Sequence, residues 1–171
     1  NKIYIILRNK KNNKKFKNKN IKIINYKNYD ELNKKISKIK AELIIHTATH
    51  YAKTHSQKDL KEFSNSNILF GNIILENLKS MKTKKFINFS TVWEDYNGIK
   101  ENYFNLYSAY KKAFSKILNF YRNKFKKVKF YELMLSDTFG KNDNRLKIIN
   151  VLRKNYKSNT ITKIISKNLY V

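Results

Sequence analysis

Short apolar runs alternate with longer amphipathic stretches along the chain. Because these runs are almost continuously apolar, they indicate strands that are covered on both faces, as in a parallel sheet. Five runs have this character: KIYIILR at 2–8, IKIIN at 21–25, ELIIHTA at 42–48, KKFINFST at 84–91 and KVKFYELML at 127–135. A sixth, TITKIIS at 160–166, suggests a last strand.

Helical spacing of apolar residues characterises the segments between the strands. Helices are predicted at 30–40, with Asp30 as the N-cap, and at 65–81, 105–125 and 143–155. The Lys- and Asn-rich stretch before the second run is interpreted as a solvated helix or loop. Strands that alternate with helices predict an α/β fold with a doubly wound parallel sheet, in one domain over residues 1–171.

One of these helices carries a tyrosine and a lysine four positions apart, Tyr107 and Lys111. This spacing places both side chains on one helical face. In a chain rich in both residues the spacing alone is weak evidence, so its surroundings decide. The preceding strand ends at Thr91, and the carboxyl ends of parallel strands face the ligand crevice. The sequence therefore predicts that Thr91, Tyr107 and Lys111 lie at one edge of the sheet.

The charge of the chain indicates a different function. Lysine and arginine number 38, aspartate and glutamate 12, and the formal net charge is +26. Such a charge is typical of proteins that bind nucleic acid. The cations are mostly lysine, as the codon bias of an AT-rich genome produces, whereas nucleic-acid readers favour arginine. A non-enzymatic basic nucleic-acid-binding protein is the alternative function, and nucleic acid is not the expected partner.

Several other classes are excluded or disfavoured by the sequence. The chain has no cysteine, which excludes disulfides and thiolate chemistry. His46, His50 and His55 are split between a strand and a loop without spaced carboxylates, so no metal site is predicted. No apolar run approaches a membrane span and no signal peptide opens the sequence, so a soluble cytoplasmic protein is expected.

The motifs together resemble the extended short-chain dehydrogenase/reductases, the NAD-dependent epimerase/dehydratase family of nucleotide-sugar enzymes. The segments that carry the resemblance are ELIIHTATH, NILFGNIILENL, FINFSTVWEDYN, NLYSAYKKAF and DTFGKNDNRLK. Two of them, FINFSTVWEDYN and DTFGKNDNRLK, are most similar to the CDP-abequose and CDP-paratose synthases, which reduce 4-keto-6-deoxy sugars. The resemblance implies a Rossmann-like NAD(P)-binding domain.

The resemblance also implies roles for the tyrosine, the lysine and the threonine. Tyr107 would be the general acid/base that exchanges a proton with a sugar oxygen during hydride transfer. A free tyrosine has a pKa of about 10, and the nearby cation of Lys111 would favour the phenolate. Lys111 would also bind the nicotinamide ribose. Thr91 would hold the reacting oxygen, with Ser90 as its substitute.

Further residues are implied to bind the cofactor and the substrate. The cofactor would be NADP or NAD, and the basic Arg8 at the end of the first strand leans toward the 2′-phosphate of NADP. The substrate would be a nucleotide-diphosphate sugar, and a homodimer is compatible with the resemblance. The implied cofactor-binding residues are Arg8, Thr47, Ala48, Thr49, Asn67, Tyr107 and Lys111, and the implied substrate-binding residues are Arg145 and Lys147.

The reaction type within the family is partly indicated. Sugar dehydratases carry an Asp-Glu pair directly after the catalytic threonine, which they need to expel water. Val92 and Trp93 occupy those positions here, and Glu94 comes one position later. This favours a reductase or an epimerase, and the sequence does not distinguish the two.

The sequence departs from the family at both ends. Gly71, Gly98 and Gly140 are the three glycines, and none can form the glycine-rich turn that cradles the pyrophosphate. The first strand here resembles the second strand of the family, so the domain is expected to be partial, with the substrate domain largely absent. These 171 residues alone are expected to bind NAD(P) poorly and to turn over no sugar nucleotide, as an inactive fragment would.

Overall fold

The computed structural model describes residues 2–8, 16, 18–140 and 147–162. The predicted helix at 143–155 and the predicted last strand at 160–166 fall partly outside these residues, and the Lys- and Asn-rich stretch falls largely outside them.

All strands pair in parallel, in two sheets that share one core. The five predicted strands are present as β1 (Ile3–Leu7), β2 (Ile21–Asn25), β3 (Leu43–His46), β4 (Lys85–Thr91) and β5 (Lys129–Leu135). β1 pairs with β2, and β4 lies between β3 and β5. The helices cover these sheets, which confirms the predicted α/β, Rossmann-like fold.

The division into two sheets leaves one strand position open among the described residues. The Rossmann order is 3-2-1-4-5-6, and the five strands correspond to positions 2 to 6. β1 and β3 therefore stand on either side of position 1, and each lacks a partner on one edge within the described part of the chain. Leu43 and Ile45 of β3 are about half exposed. The predicted incompleteness of the sheet matches this topology.

Five α-helices connect or follow the strands. They are α1 (Tyr29–Ile36), α2 (Gln57–Phe63), α3 (Phe70–Glu76), α4 (Leu106–Lys124) and α5 (Ile148–Lys157). A π-helical segment, Ser64–Leu69, joins α2 to α3, and a 3₁₀ segment, Val92–Gly98, follows β4.

Two helix starts differ from the prediction. The N-cap of α1 is Asn28 rather than Asp30, because the Asn28 side chain accepts a hydrogen bond from the Glu31 amide at 2.9 Å. The helix predicted at 65–81 begins earlier, at Gln57. A capping box in which Ser56 and Asp59 bond each other's backbone amides fixes that start.

The core lies between the sheets and helices α1, α3 and α4. Its fully buried apolar side chains are Leu32, Ile36, Phe63, Leu75, Phe86, Phe114, Leu78 and Leu118. None of the helices in the described ranges combines the length and apolar character needed to cross a membrane.

Candidate active site

A cavity of about 810 Å³ opens where β3, β4 and β5 end. Thr47 and Thr49 reach it from the loop after β3, and Thr91 reaches it from the end of β4. Tyr107 and Lys111 reach it from α4. The structure thus brings the three predicted catalytic residues to one cavity at the carboxyl edge of the sheet.

Thr91 occupies a capping position that leaves its proton available. Its hydroxyl oxygen accepts a hydrogen bond from the Trp93 amide at 3.3 Å and caps the 3₁₀ segment. The Ser90 hydroxyl, by contrast, donates to the Glu94 carboxylate. Since the Ser90 proton is engaged, Thr91 is the better donor to a substrate oxygen.

The start of α4 sets the depth of the catalytic helix. Asn105 and Ser108 form a capping box, with the Asn105 side chain accepting from the Ser108 amide at 3.0 Å. Tyr107 therefore lies in the first turn, and Lys111 lies one turn further on the same face. Lys111 is only 5% exposed, so its ammonium group sits in a poorly solvated environment.

Burial dominates the ionisation of both residues. It raises the pKa of Tyr107, against a hydrogen bond with Thr49 that lowers it. It lowers the pKa of Lys111, whereas the carboxylates of Glu94 and Glu132 raise it. The expected shift of Tyr107 toward the phenolate is therefore not what the structure shows, because desolvation outweighs the nearby cation. Tyr107 is a neutral phenol at neutral pH.

Asn67 shapes the loop after β3 without lining the cavity. Its side-chain oxygen accepts from the His50 amide at 2.6 Å and the Thr49 hydroxyl at 3.2 Å, and its nitrogen donates to the His50 carbonyl at 3.0 Å. Ala48 packs against the core. Of the four residues predicted around this strand end, Thr47 and Thr49 line the cavity, while Ala48 and Asn67 support it.

The charged residues predicted for the cofactor and the substrate lie in different places. Arg8 does not line the cavity, and its guanidinium donates to the Glu62 carboxylate at 2.6 Å. Lys147 lines the cavity and donates to Asp137 at 2.6 Å. Arg145 lies outside the described residues.

An aromatic wall was missed by the sequence analysis. Tyr51, Trp93 and Phe104 line the cavity beside Tyr107. The ring of Tyr51 meets that of Tyr107 edge to face, with centroids 5.2 Å apart, and Trp93 lies 5.0 Å from Phe104. The available signal was position, because Trp93 and Phe104 stand at the two ends of the loop that joins β4 to α4.

The histidines are occupied by packing and pairing. His46 is buried among phenylalanine rings, and His50 contacts Asp59 at 2.9 Å. Within the described ranges, no three His, Asp or Glu side chains form a group able to hold a metal ion.

The cavity suits one end of a nicotinamide dinucleotide. Ligand pockets typically measure about 300–1,000 Å³ and combine an apolar wall with a few polar groups. The hydroxyls of Thr47, Thr49 and Tyr107, with the amine of Lys111, could hold a ribose and its nicotinamide. The pyrophosphate needs a different structure, and the sequence contains no glycine-rich turn to supply it.

Several solved structures share this fold at low sequence identity. WbmG from Bordetella bronchiseptica, in complex with NAD, has a TM-score of 0.72 and 16% identity over 93% of this chain and 52% of its own. Pen from Bacillus thuringiensis gives 0.67 and 16% over 92% and 50%. UDP-glucuronic acid 4-epimerase from Bacillus cereus, with UDP-glucuronic acid and NAD, gives 0.65 and 18% over 87% and 49%. The chain thus spans about half the length of these proteins.

The sequence itself matches a family model over almost its whole length. No curated protein sequence matches the chain. The model of the NAD-dependent epimerase/dehydratase family matches residues 2–168, which include every strand and helix described above. The chain belongs to the NAD-dependent epimerase/dehydratase family.

Proposed function

We propose that the chain carries the catalytic residues of a nucleotide-sugar oxidoreductase or epimerase that uses a nicotinamide cofactor. The observation that carries this proposal is the meeting of Thr91, Tyr107 and Lys111 in one cavity at the carboxyl edge of the sheet. When bound, the cofactor supplies or accepts the hydride. The substrate is a nucleotide-diphosphate sugar, as in the UDP-glucuronic acid complex of the matched Bacillus cereus epimerase.

The protonation state of Tyr107 favours the reductive direction. Because burial keeps Tyr107 a neutral phenol, it begins the reaction able to donate a proton to a keto oxygen. The Thr91 hydroxyl donates to the same oxygen, and Lys111 binds the ribose. A 4-keto-6-deoxy sugar, which carries a keto oxygen and an apolar methyl group, suits these donors and the aromatic wall.

The adenosine end and the wider assembly complete the proposal. Arg8 binds the adenosine ribose region and leans toward NADP, once its bond to Glu62 opens. The domain is a partial NAD(P)-binding domain located in the cytoplasm, and the homodimer stays a prediction. Lys147 contacts the diphosphate of the substrate after leaving Asp137.

The test uses the 171-residue chain and a fusion of it, in which the first strand, glycine turn and helix of the Bacillus cereus epimerase precede residue 1. We expect calorimetry to show weak NADH and NADPH binding by the chain and tighter binding by the fusion. In the fusion, Tyr107→Phe should lower turnover of a 4-keto-6-deoxy nucleotide sugar by about 100-fold or more. Tyr131→Phe, outside the cavity, is the matched control. Equal turnover by both variants would contradict the proposal.

A further inference from the structure

Glu94 is a buried carboxylate directly behind the strand end that carries Thr91. Its side chain is 3% exposed, and one oxygen lies 3.6 Å from the Lys112 ammonium. The other oxygen accepts from the Ser90 hydroxyl. The Thr91 backbone also donates to this carboxylate. Because burying a carboxylate is costly unless it is paired, its position requires an explanation beyond the shape of the turn.

A second cavity, of about 300 Å³, lies behind the active site. Glu94 and Glu132 line it together with Lys112 and Arg122. Ser90 lines both cavities, so this residue separates the carboxylate of Glu94 from the catalytic side of the sheet. Glu94 can therefore act on the active site through space.

The second carboxylate is held beside the catalytic helix from another strand. Glu132 on β5 accepts from the Asn88 amide at 3.1 Å and from the Ser115 hydroxyl. Ser115 lies one helical turn after Lys111, and its hydroxyl also contacts the Lys111 carbonyl at 3.2 Å. Lys111 is thus flanked by one carboxylate from the 3₁₀ segment and one from β5.

These two carboxylates act on different members of the catalytic pair. The charges of Glu94 and Glu132 both raise the pKa of Lys111, against the burial that lowers it. Only Glu94 of the two raises the pKa of Tyr107, where burial is the larger cause. This difference gives the two carboxylates separate signatures.

We propose that Glu94 is a positioning residue for the catalytic pair, whose buried negative charge keeps Lys111 an ammonium ion and Tyr107 a proton-bearing phenol. The role of the pair rests on the proposed function, whereas the charge effect can be measured without turnover. Glu132 supports Lys111 alone.

The charge on Glu94 depends on pH because of the groups that face it. Burial raises its pKa to about 7, Glu132 raises it further, and Lys112 and Lys111 lower it. Lys116 and Arg122 of α4 line the same cavity. As pH falls through about 7, Glu94 becomes neutral and Lys111 loses one of its two counter-charges. The support for the ammonium ion therefore weakens on the acid side.

The test is an NMR titration of the chain with labelled lysine and tyrosine side chains, assigned with Lys111→Met and Tyr107→Phe. Glu94→Gln keeps the hydrogen-bond acceptor and removes the charge, so both Lys111 and Tyr107 should titrate at lower pH. Glu132→Gln should shift Lys111 alone. Glu101→Gln is the control, because Glu101 is half exposed and pairs with Lys116.

Three outcomes decide the proposal. An unchanged Lys111 titration in Glu94→Gln would overturn it, as would an equal shift in Glu101→Gln. If Glu94→Gln does not fold, the reciprocal measurement applies, in which Lys111→Met must raise the pKa of the Glu94 carboxyl group. Shifted titrations in the chain together with no turnover by the fusion would support the charge effect and contradict the proposed function.

Discussion

Acid should destabilise the folded protein through a single buried histidine. His46 is 4% exposed and lies against the rings of Phe70, Phe86 and Phe114, with centroids 5.0–6.0 Å away. Its Nδ1 lies 3.0 Å from the Asn88 side-chain oxygen. Because that oxygen is an acceptor, we assign the proton of the neutral ring to Nδ1. The buried Nε2 has no hydrogen-bond partner among the described residues, so a second proton would be unsatisfied.

The magnitude follows from the difference between the folded and unfolded pKa. Burial lowers the pKa of His46 from 6.5 to about 4. The unfolded chain therefore binds a proton that the folded chain refuses, and stability falls as pH falls from about 6.5 to about 4. The difference corresponds to about 3 kcal/mol of unfolding free energy, fully present above the unfolded pKa and lost by the folded one.

Urea unfolding at a series of pH values measures this loss. His46→Leu removes the titration, and the bond to Asn88 that it also removes adds an offset that does not change with pH. The stability difference between the wild type and His46→Leu should shrink by about 3 kcal/mol from about pH 7 to about pH 4. His55→Asn, at an exposed histidine, is the matched control. Parallel curves for the wild type and His46→Leu would refute the reasoning.

Three further predictions test the packing, the loop and the cofactor choice. Gly71→Ala should cost about 1–3 kcal/mol in urea unfolding, since a Cβ there lies 2.4 Å from Phe114, while Gly140→Ala, in open space, should not. Asn67→Ala should cost about 1–3 kcal/mol and speed amide exchange at His50, because it leaves buried groups unpaired. Glu62→Gln frees Arg8, so calorimetry of the fusion should show a larger preference for NADPH over NADH; an unchanged ratio would remove Arg8 from the adenosine end.

Sequence reasoning succeeded where the signal was local. Each strand is a continuous apolar run, so the five positions could be predicted without knowing their partners. The helix that carries Tyr107 and Lys111 was predicted for the same reason, because its apolar face recurs at helical spacing. The placement of Thr91 followed from topology, since the end of a parallel strand is also the edge of the sheet.

Sequence reasoning failed where distant pairs decide the structure. The segment QKDLKEF has little apolar periodicity, and its helix depends on the Ser56 capping box and on packing of Phe63. The contact of Arg8 with Glu62 joins positions 54 residues apart, which no local pattern encodes. Glu94 lies in a polar segment that indicates exposure, yet its contacts with Ser90 and Lys112 bury it.

The carboxylates are more informative than the lysines in a chain with 38 cations and 12 acids. Exposed lysines such as Lys84, whose side chain is 69% exposed, are well solvated and contribute little. A buried carboxylate is costly and persists only where it is compensated. Glu94 and Glu132 lie on either side of Lys111, where each offsets the cost of a buried ammonium ion. The net charge therefore reflects composition, whereas these two acids reflect the chemistry of the site, which favours catalysis over nucleic-acid binding as the function to test.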